Sequence, residues 1–188
     1  MKTPIITAVA LCSCVALLGQ EKPDQTPPKP RTQLEAFAAE TGAVIIKGFS
    51  EMGKVAAMGS VEVDCREFTN ASTGQKRYGI VIEIKEAGSL QRESSSFVDF
   101  EEIPSLIAGI DYISKIQPSV TTLTNFEATY TTKGDFAITV FNNARGVLSV
   151  AVSSGRFGRT TAYLPIGKVG ELRTLIGRAK AKIEEISK

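Results

Sequence analysis

The chain has no histidine and no tryptophan. Without an imidazole there is no histidine general acid or base, no Ser/His/Asp or Cys/His nucleophile system, and no histidine metal ligand. Cysteine is nearly as scarce. Of three, Cys12 and Cys14 stand in an apolar leader, so the folded part keeps Cys65 alone and closes no intrachain disulfide. One cysteine also excludes cysteine-rich zinc sites and redox pairs. No Ser-x-x-Lys occurs, which argues against a serine/lysine amidase, and no run alternates oxygen ligands about a glycine as a calcium loop requires. The expectation is a protein without metal or cofactor.

Carboxylates remain. Asp99, Glu101 and Glu102 cluster at a strand-to-helix junction, where a facing pair could do glycosidase chemistry. Acidic residues at a helix start follow from the helix dipole alone, so the reading is structural and the chain is taken as a non-enzyme.

What is present is an ordinary globular composition, 43% apolar and 22% charged over 188 residues. Residues 1–19 read as a secretory signal peptide: Lys2 supplies the positive start, Ile5 to Leu18 the apolar run, and polar residues begin at Gln20. That run is too short to favour a permanent membrane span. Leu17-Leu18-Gly19 is a cleavage candidate, and Leu11-Cys12-Ser13-Cys14 resembles a lipoprotein box that would anchor the chain through Cys14. Against lipidation, Val15 to Leu18 is still apolar where a polar tether is usual. Either way the mature protein is expected outside the cytoplasm, secreted or periplasmic. Residues 20–31 hold Pro23, Pro27, Pro28 and Pro30 among charges and amides, the composition of a flexible tether.

The globular part spans 32–188. Thr32-Gln33-Leu34-Glu35 has capping-box spacing, and Leu34, Phe37, Ala38 and Thr41 continue at helical spacing to Gly42, a left-handed stop. The period then becomes two. Ala43 to Phe49 is strand-rich, Val55 to Phe68 alternates, 69–76 is a polar hairpin loop, and Ile80, Ile82 and Ile84 alternate with polar neighbours. Ser95 to Phe100 makes a fourth strand before a helix with Pro104 in its first turn and Ile103, Leu106, Ile107, Ile110 and Ile113 on one face. Residues 119–188 repeat the order: strands around Phe126 to Tyr130, Phe136 to Val140, Leu148 to Val152 and Arg159 to Leu164. A helix closes the unit, with Val169, Leu172, Ile176, Ala179, Ile183 and Ile186 as its core stripe. A slide of 66 residues superposes Ile103 on Val169, Leu106 on Leu172 and Ile84 on Val150. The fold class is therefore α+β, two tandem β-β-β-β-α units (43–118 and 119–188) with antiparallel sheets. Each unit alone has a marginal core, so the two are expected to pack as one pseudo-symmetric domain.

This duplicated order resembles the plant Whirly proteins. A single unit resembles the repeats of the Pur family and a transcriptional coactivator of the same plan. The second unit carries the likeness: Lys133-Gly134-Asp135-Phe136 opening a hairpin, then Tyr163-Leu164-Pro165 before the helix residues Leu172-Arg173-Thr174-Leu175-Ile176. The resemblance implies single-stranded nucleic-acid binding across the sheets. The Whirly Lys-Gly-Lys-Ala-Ala-Leu motif is absent, and shared folds do not transfer function.

Charge divides unevenly: four basic and four acidic residues in 1–42, eight and eleven in 43–118, ten and five in 119–188. The basic half holds the candidate ligand-binding residues. Arg156, Phe157 and Arg159 lie in a Gly-rich hairpin that would present guanidinium forks beside a ring, and Arg145 lies in the preceding turn. The plain alternative is a turn with solubilising charges. Phe126, Tyr130, Phe136, Phe141, Phe157 and Tyr163 mostly fall at core positions and read as packing. Cys65 continues the inward series Val61, Val63, so it reads as a buried inert thiol. Asn70-Ala71-Ser72 is a formal glycosylation triplet in an expected exposed loop. Thr121, Thr122, Thr124, Thr129, Thr131 and Thr132 read as strand formers on a wet face. Two functions are carried forward. The preferred one is an exported scaffold binding a protein, glycan or envelope component; the other is a single-strand or polyanion binder using Arg145, Arg156, Arg159 and the basic last helix.

Overall fold

A computed structural model describes residues 29–88, 92–143, 145–156 and 158–188. The expected leader with Cys12 and Cys14, nearly all of the expected tether, and Phe157 lie outside the described residues. Thr32 opens α1 (Gln33–Ala38) with the expected capping box. Its hydroxyl accepts from the Glu35 amide at 3.0 Å, and the Glu35 carboxylate accepts from the Thr32 amide at 3.3 Å. The helix stops short of Thr41. Leu34 and Phe37 find apolar partners in Phe68, Phe97 and Ile45, whereas Thr41 is exposed and gains nothing from another turn. Gly42 does take a left-handed φ of +78°, but beyond the helix end.

The first sheet runs β1 (Ile45–Ala57), β2 (Gly59–Asn70), β3 (Lys76–Lys85), β4 (Glu93–Asp99), antiparallel and in that order. The gap expected between Phe49 and Val55 is no turn. β1 passes through it with a bulge between Glu51 and Gly53, and Gly53 absorbs the extra residue at φ +135°. The reversal comes later, at Met58. After a 3-10 turn, α2 (Ile103–Ile113) presents Ile103, Leu106, Ile110 and Ile113 to the core, as the spacing requires. The second sheet repeats the order with β5 (Glu127–Thr131), β6 (Ala137–Asn142), β7 (Leu148–Ser154) and β8 (Thr160–Pro165), then α3 (Val169–Ile186). Thus the α+β class with two four-stranded antiparallel sheets stands. Thr121 to Thr124 lie in no strand, and Thr132 is buried; Thr129 and Thr131 alone of that series sit on a wet strand face. Ile186, expected in the core, is exposed because it is the last helical residue.

Alternation fixes which face each sheet hides. Val61, Val63, Cys65, Ile80, Ile82, Ile84 and Val98 line the inner face of the first sheet, and Ile138, Val140, Val150, Val152, Ala162 and Leu164 that of the second, within one apolar cluster. The helices are exchanged. α3 lies against β1, β2 and β3, while α2 lies against β5 and β6. Each helix covers the other unit's sheet rather than the one that precedes it in sequence. A fully buried isoleucine contributes about 1.5–3 kcal/mol relative to exposure, so Ile176 and Ile183 of α3 stabilise the first sheet and Ile110 of α2 the second.

Polar contacts stitch the units along the same seam. β8 touches β1, β2 and β3, and Met58 and Tyr163 exchange both backbone hydrogen bonds, at 3.2 and 2.9 Å. Gly59 sits under this bridge at φ +95°, where an added Cβ would come within 2.6 Å of the Lys85 carbonyl and 2.9 Å of the Ala162 Cβ. Arg173 grips Asp111 from α3 to α2 through two hydrogen bonds of 3.0 and 3.2 Å. The Ser96 and Ser154 hydroxyls meet at 2.7 Å where β4 approaches β7.

Candidate functional site

The arginine candidates do not converge. Arg156 sits 3.7 Å from the Asp135 carboxylate through Nε and donates through Nη2 to the Lys29 carbonyl at 3.1 Å. Asp135 also pairs with Arg31 and holds φ +66°, the left-handed region that favours glycine. Arg156 thus straps the incoming chain and the 133–135 turn to the end of β7, beside a shallow cavity of about 370 Å³ lined in part by Glu35, Ser94 and Ser95. Arg159 is exposed and borders a different cavity, with Arg92, Glu86 and Tyr163. Arg145 lies in the turn before β7, and β7 separates it from Arg156 by about 20 Å at the usual rise per residue.

Two of the acidic trio make structural contacts. Asp99 accepts from the Gln33 and Leu34 amides at 2.9 and 3.0 Å, two of the free donors at the start of α1. Glu102 accepts from the Lys133 amide at 2.9 Å, and Glu101 is exposed. Cys65 is buried, and burial pushes its thiol up, as its place in the alternation implies. Asn70 departs from expectation. It ends β2, is buried, donates to Glu40 and accepts from the Ser72 and Thr73 amides, so its amide is not on an exposed loop.

The outer face of the first sheet mixes charges of both signs. It carries Glu51, Glu62, Asp64, Glu83, Glu93 and Asp99 beside Lys47, Lys54, Arg66, Arg77 and Lys85, paired as Lys54–Glu62 and Lys85–Glu83 at 2.8 Å and Arg66–Asp64 at 2.6 Å. Lys54 holds the Glu62 carboxyl below its ordinary range. Burial pushes Asp64 up, against the pull of Arg66. The outer face of the second sheet carries Thr129, Thr131, Thr139, Ser149, Ala151 and Thr161, with Phe141 and Tyr163 edge to face at 6.5 Å. These two rings face outward rather than into the core. On the first sheet Lys47, Arg66 and Arg77 lie by Phe68, Phe49 and Phe37, of which Phe68 and Phe37 are buried, so Phe49 alone of these three rings is open for the base stacking that single-strand binders use.

One feature was not legible as a site in the sequence, the outer edge of β1. The Ala71 amide donates to the Val44 carbonyl at 2.9 Å, in register with Ile45 opposite Asn70. Antiparallel phase then turns the backbone groups of Val44, Ile46, Gly48 and Ser50 toward β2 and those of Ile45, Lys47, Phe49 and Glu51 outward. No strand flanks that side among the described residues. By contrast β4 is shielded where the Gly134 backbone presses on the Phe97 carbonyl, and β8 by Met58. Val44, Ile46 and Phe49 are 68%, 57% and 63% exposed at this edge, and the Phe49 ring lies 4.8 Å from the Arg66 guanidinium. Lys47 and Glu51 are exposed, and neither forms an ion pair among the described residues. The run Val44-Ile45-Ile46 signals a strand; which strand ends up outermost is a property of the sheet.

The chain matches no family model, and it has no match among curated proteins. None of the described helices is long and apolar enough to cross a membrane.

Proposed function

We propose that this protein is an exported, non-catalytic binding module that takes up a partner by strand addition to β1. The observation that carries the reading is the row of outward backbone groups at Ile45, Lys47, Phe49 and Glu51 flanked by exposed Val44, Ile46 and Phe49. Main-chain hydrogen bonds to such an edge supply affinity, and alternate side chains supply selectivity. α3 supports the reading by backing β1 from the core side, and the exchanged helices fit two copies of one plan arranged about a pseudo-twofold. A polyanion reading would rest on Arg145, Arg156 and Arg159. It has less support, because Arg156 is already paired and Arg145 is remote from it.

Amide exchange on the dilute protein tests the edge. The amides of Ile45, Lys47, Phe49 and Glu51 should exchange much faster than those of Ile46, Gly48 and Ser50. Equal protection of both sets refutes an open edge. Salt-sensitive retention of single-stranded DNA, lost on changing Arg156 and Arg159 to Ala, would move the assignment to the polyanion reading.

A further inference from the structure

We propose that the strand added to β1 is β1 of a second copy of this chain, antiparallel about a twofold axis at Phe49, so that two four-stranded sheets join into one of eight strands. This rests on the strand-addition reading. A twofold axis perpendicular to the sheet keeps each face on its own side, so residues paired across it share parity and the axis must pass through a residue. Charge then selects the residue. Centred on Lys47, the axis opposes that lysine to its own copy, and centred on Gly48 it sets Ile45 against Glu51. Centred on Phe49, it pairs Lys47 with the second copy's Glu51 twice over, using the two side chains at this edge that have no ion pair among the described residues.

The backbone phase agrees. Lys47, Phe49 and Glu51 all point their amide and carbonyl groups outward, so Phe49 exchanges hydrogen bonds with the second copy's Phe49 and Lys47 with its Glu51. The small pair Gly48 and Ser50 falls opposite itself on the inner side. The bulge between Glu51 and Gly53 bends the strand beyond that point and stops the ladder, which makes a short, closed contact rather than an open polymer. Phe49, already over Arg66, comes to lie beside its own copy and loses its exposure to water.

Sedimentation velocity of the full chain from about 1 μM to about 1 mM, the range proper to a small strand-pair interface, tests this. A monomer–dimer equilibrium is expected. Lys47→Glu and Glu51→Lys should each weaken it about tenfold by opposing like charges, and the double swap should return it to within about twofold of the parent. Phe49→Pro, which removes an outward donor while leaving every bond to β2, should abolish it. Unchanged thermal unfolding of the charge variants guards against misfolding. A monomer at every concentration with fast outward amides overturns self-pairing and leaves strand addition standing for a different partner. A dimer indifferent to both swaps also overturns it, by placing the interface elsewhere. Slow outward amides in a dilute monomer overturn both readings.

Discussion

Replacing Ile176 by Ala probes the exchanged helices directly. Ile176 is fully buried on α3, and α3 packs on β1, β2 and β3 rather than on the sheet that precedes it. Deleting the side chain removes its transfer energy and leaves a cavity, about 2–5 kcal/mol together. For a chain of this size each kcal/mol lowers the midpoint by about 2–4 °C, so a fall of about 4–20 °C is expected. Location is the sharper readout. Backbone amide shifts and exchange rates should change most in β1, β2 and β3, and Ile110→Ala on α2 should disturb β5 and β6 instead. Both variants should still unfold in one transition, because the apolar cluster takes side chains from both units. If Ile176→Ala perturbed β5 to β8 alone, or if melting split into two steps with one unaffected, the exchange would be wrong.

Gly59→Ala should destabilise by about 2 kcal/mol or more, since its Cβ would meet the Lys85 carbonyl and Ala162 and the backbone is left-handed; urea titration reads this. Asp99→Ala leaves two amides at the start of α1 without an acceptor and should cost about 1–3 kcal/mol, with exchange at Leu34 accelerating first. Stability should fall as pH drops from about 5 to about 3. Lys54, Arg92 and Arg173 hold Glu62, Glu86 and Asp111 respectively below their ordinary range, so the stabilisation is complete above the unfolded values and disappears as pH falls through the folded ones. Asp64, pushed up by burial, works in the opposite direction, and the Asp111→Asn variant should show a shallower loss in urea titrations at the two pH values. Cys65 should resist thiol reagents in the native protein and react in denaturant.

Local rules carried far along this chain. The capping box at Thr32, the apolar faces of α2 and α3, the inward series Val61, Val63, Cys65, and the eight strands in their order all follow from spacing and hydrogen-bonding chemistry. Three things did not follow. Gly53 has the same sequence signature whether it turns a chain or absorbs a bulge, and pairing with β2 decides which. Asn70 looks like a loop residue until Glu40, thirty positions away, takes its amide. Which sheet each helix covers is invisible to periodicity, because an amphipathic stripe states that a face must be hidden and not by what. Arg145 and Arg156 stand apart for a related reason: closeness in sequence across a hairpin strand is distance in space, and they stand at its two ends.

The helix exchange also sets an order of completion. The first sheet receives its helical cover from α3, which follows the whole second sheet in sequence, so a chain emerging from the ribosome cannot finish its earliest layer until β5 to β8 have been made. Contacts spanning so much sequence slow folding. The later unit's helix thus locks a sheet made well before it.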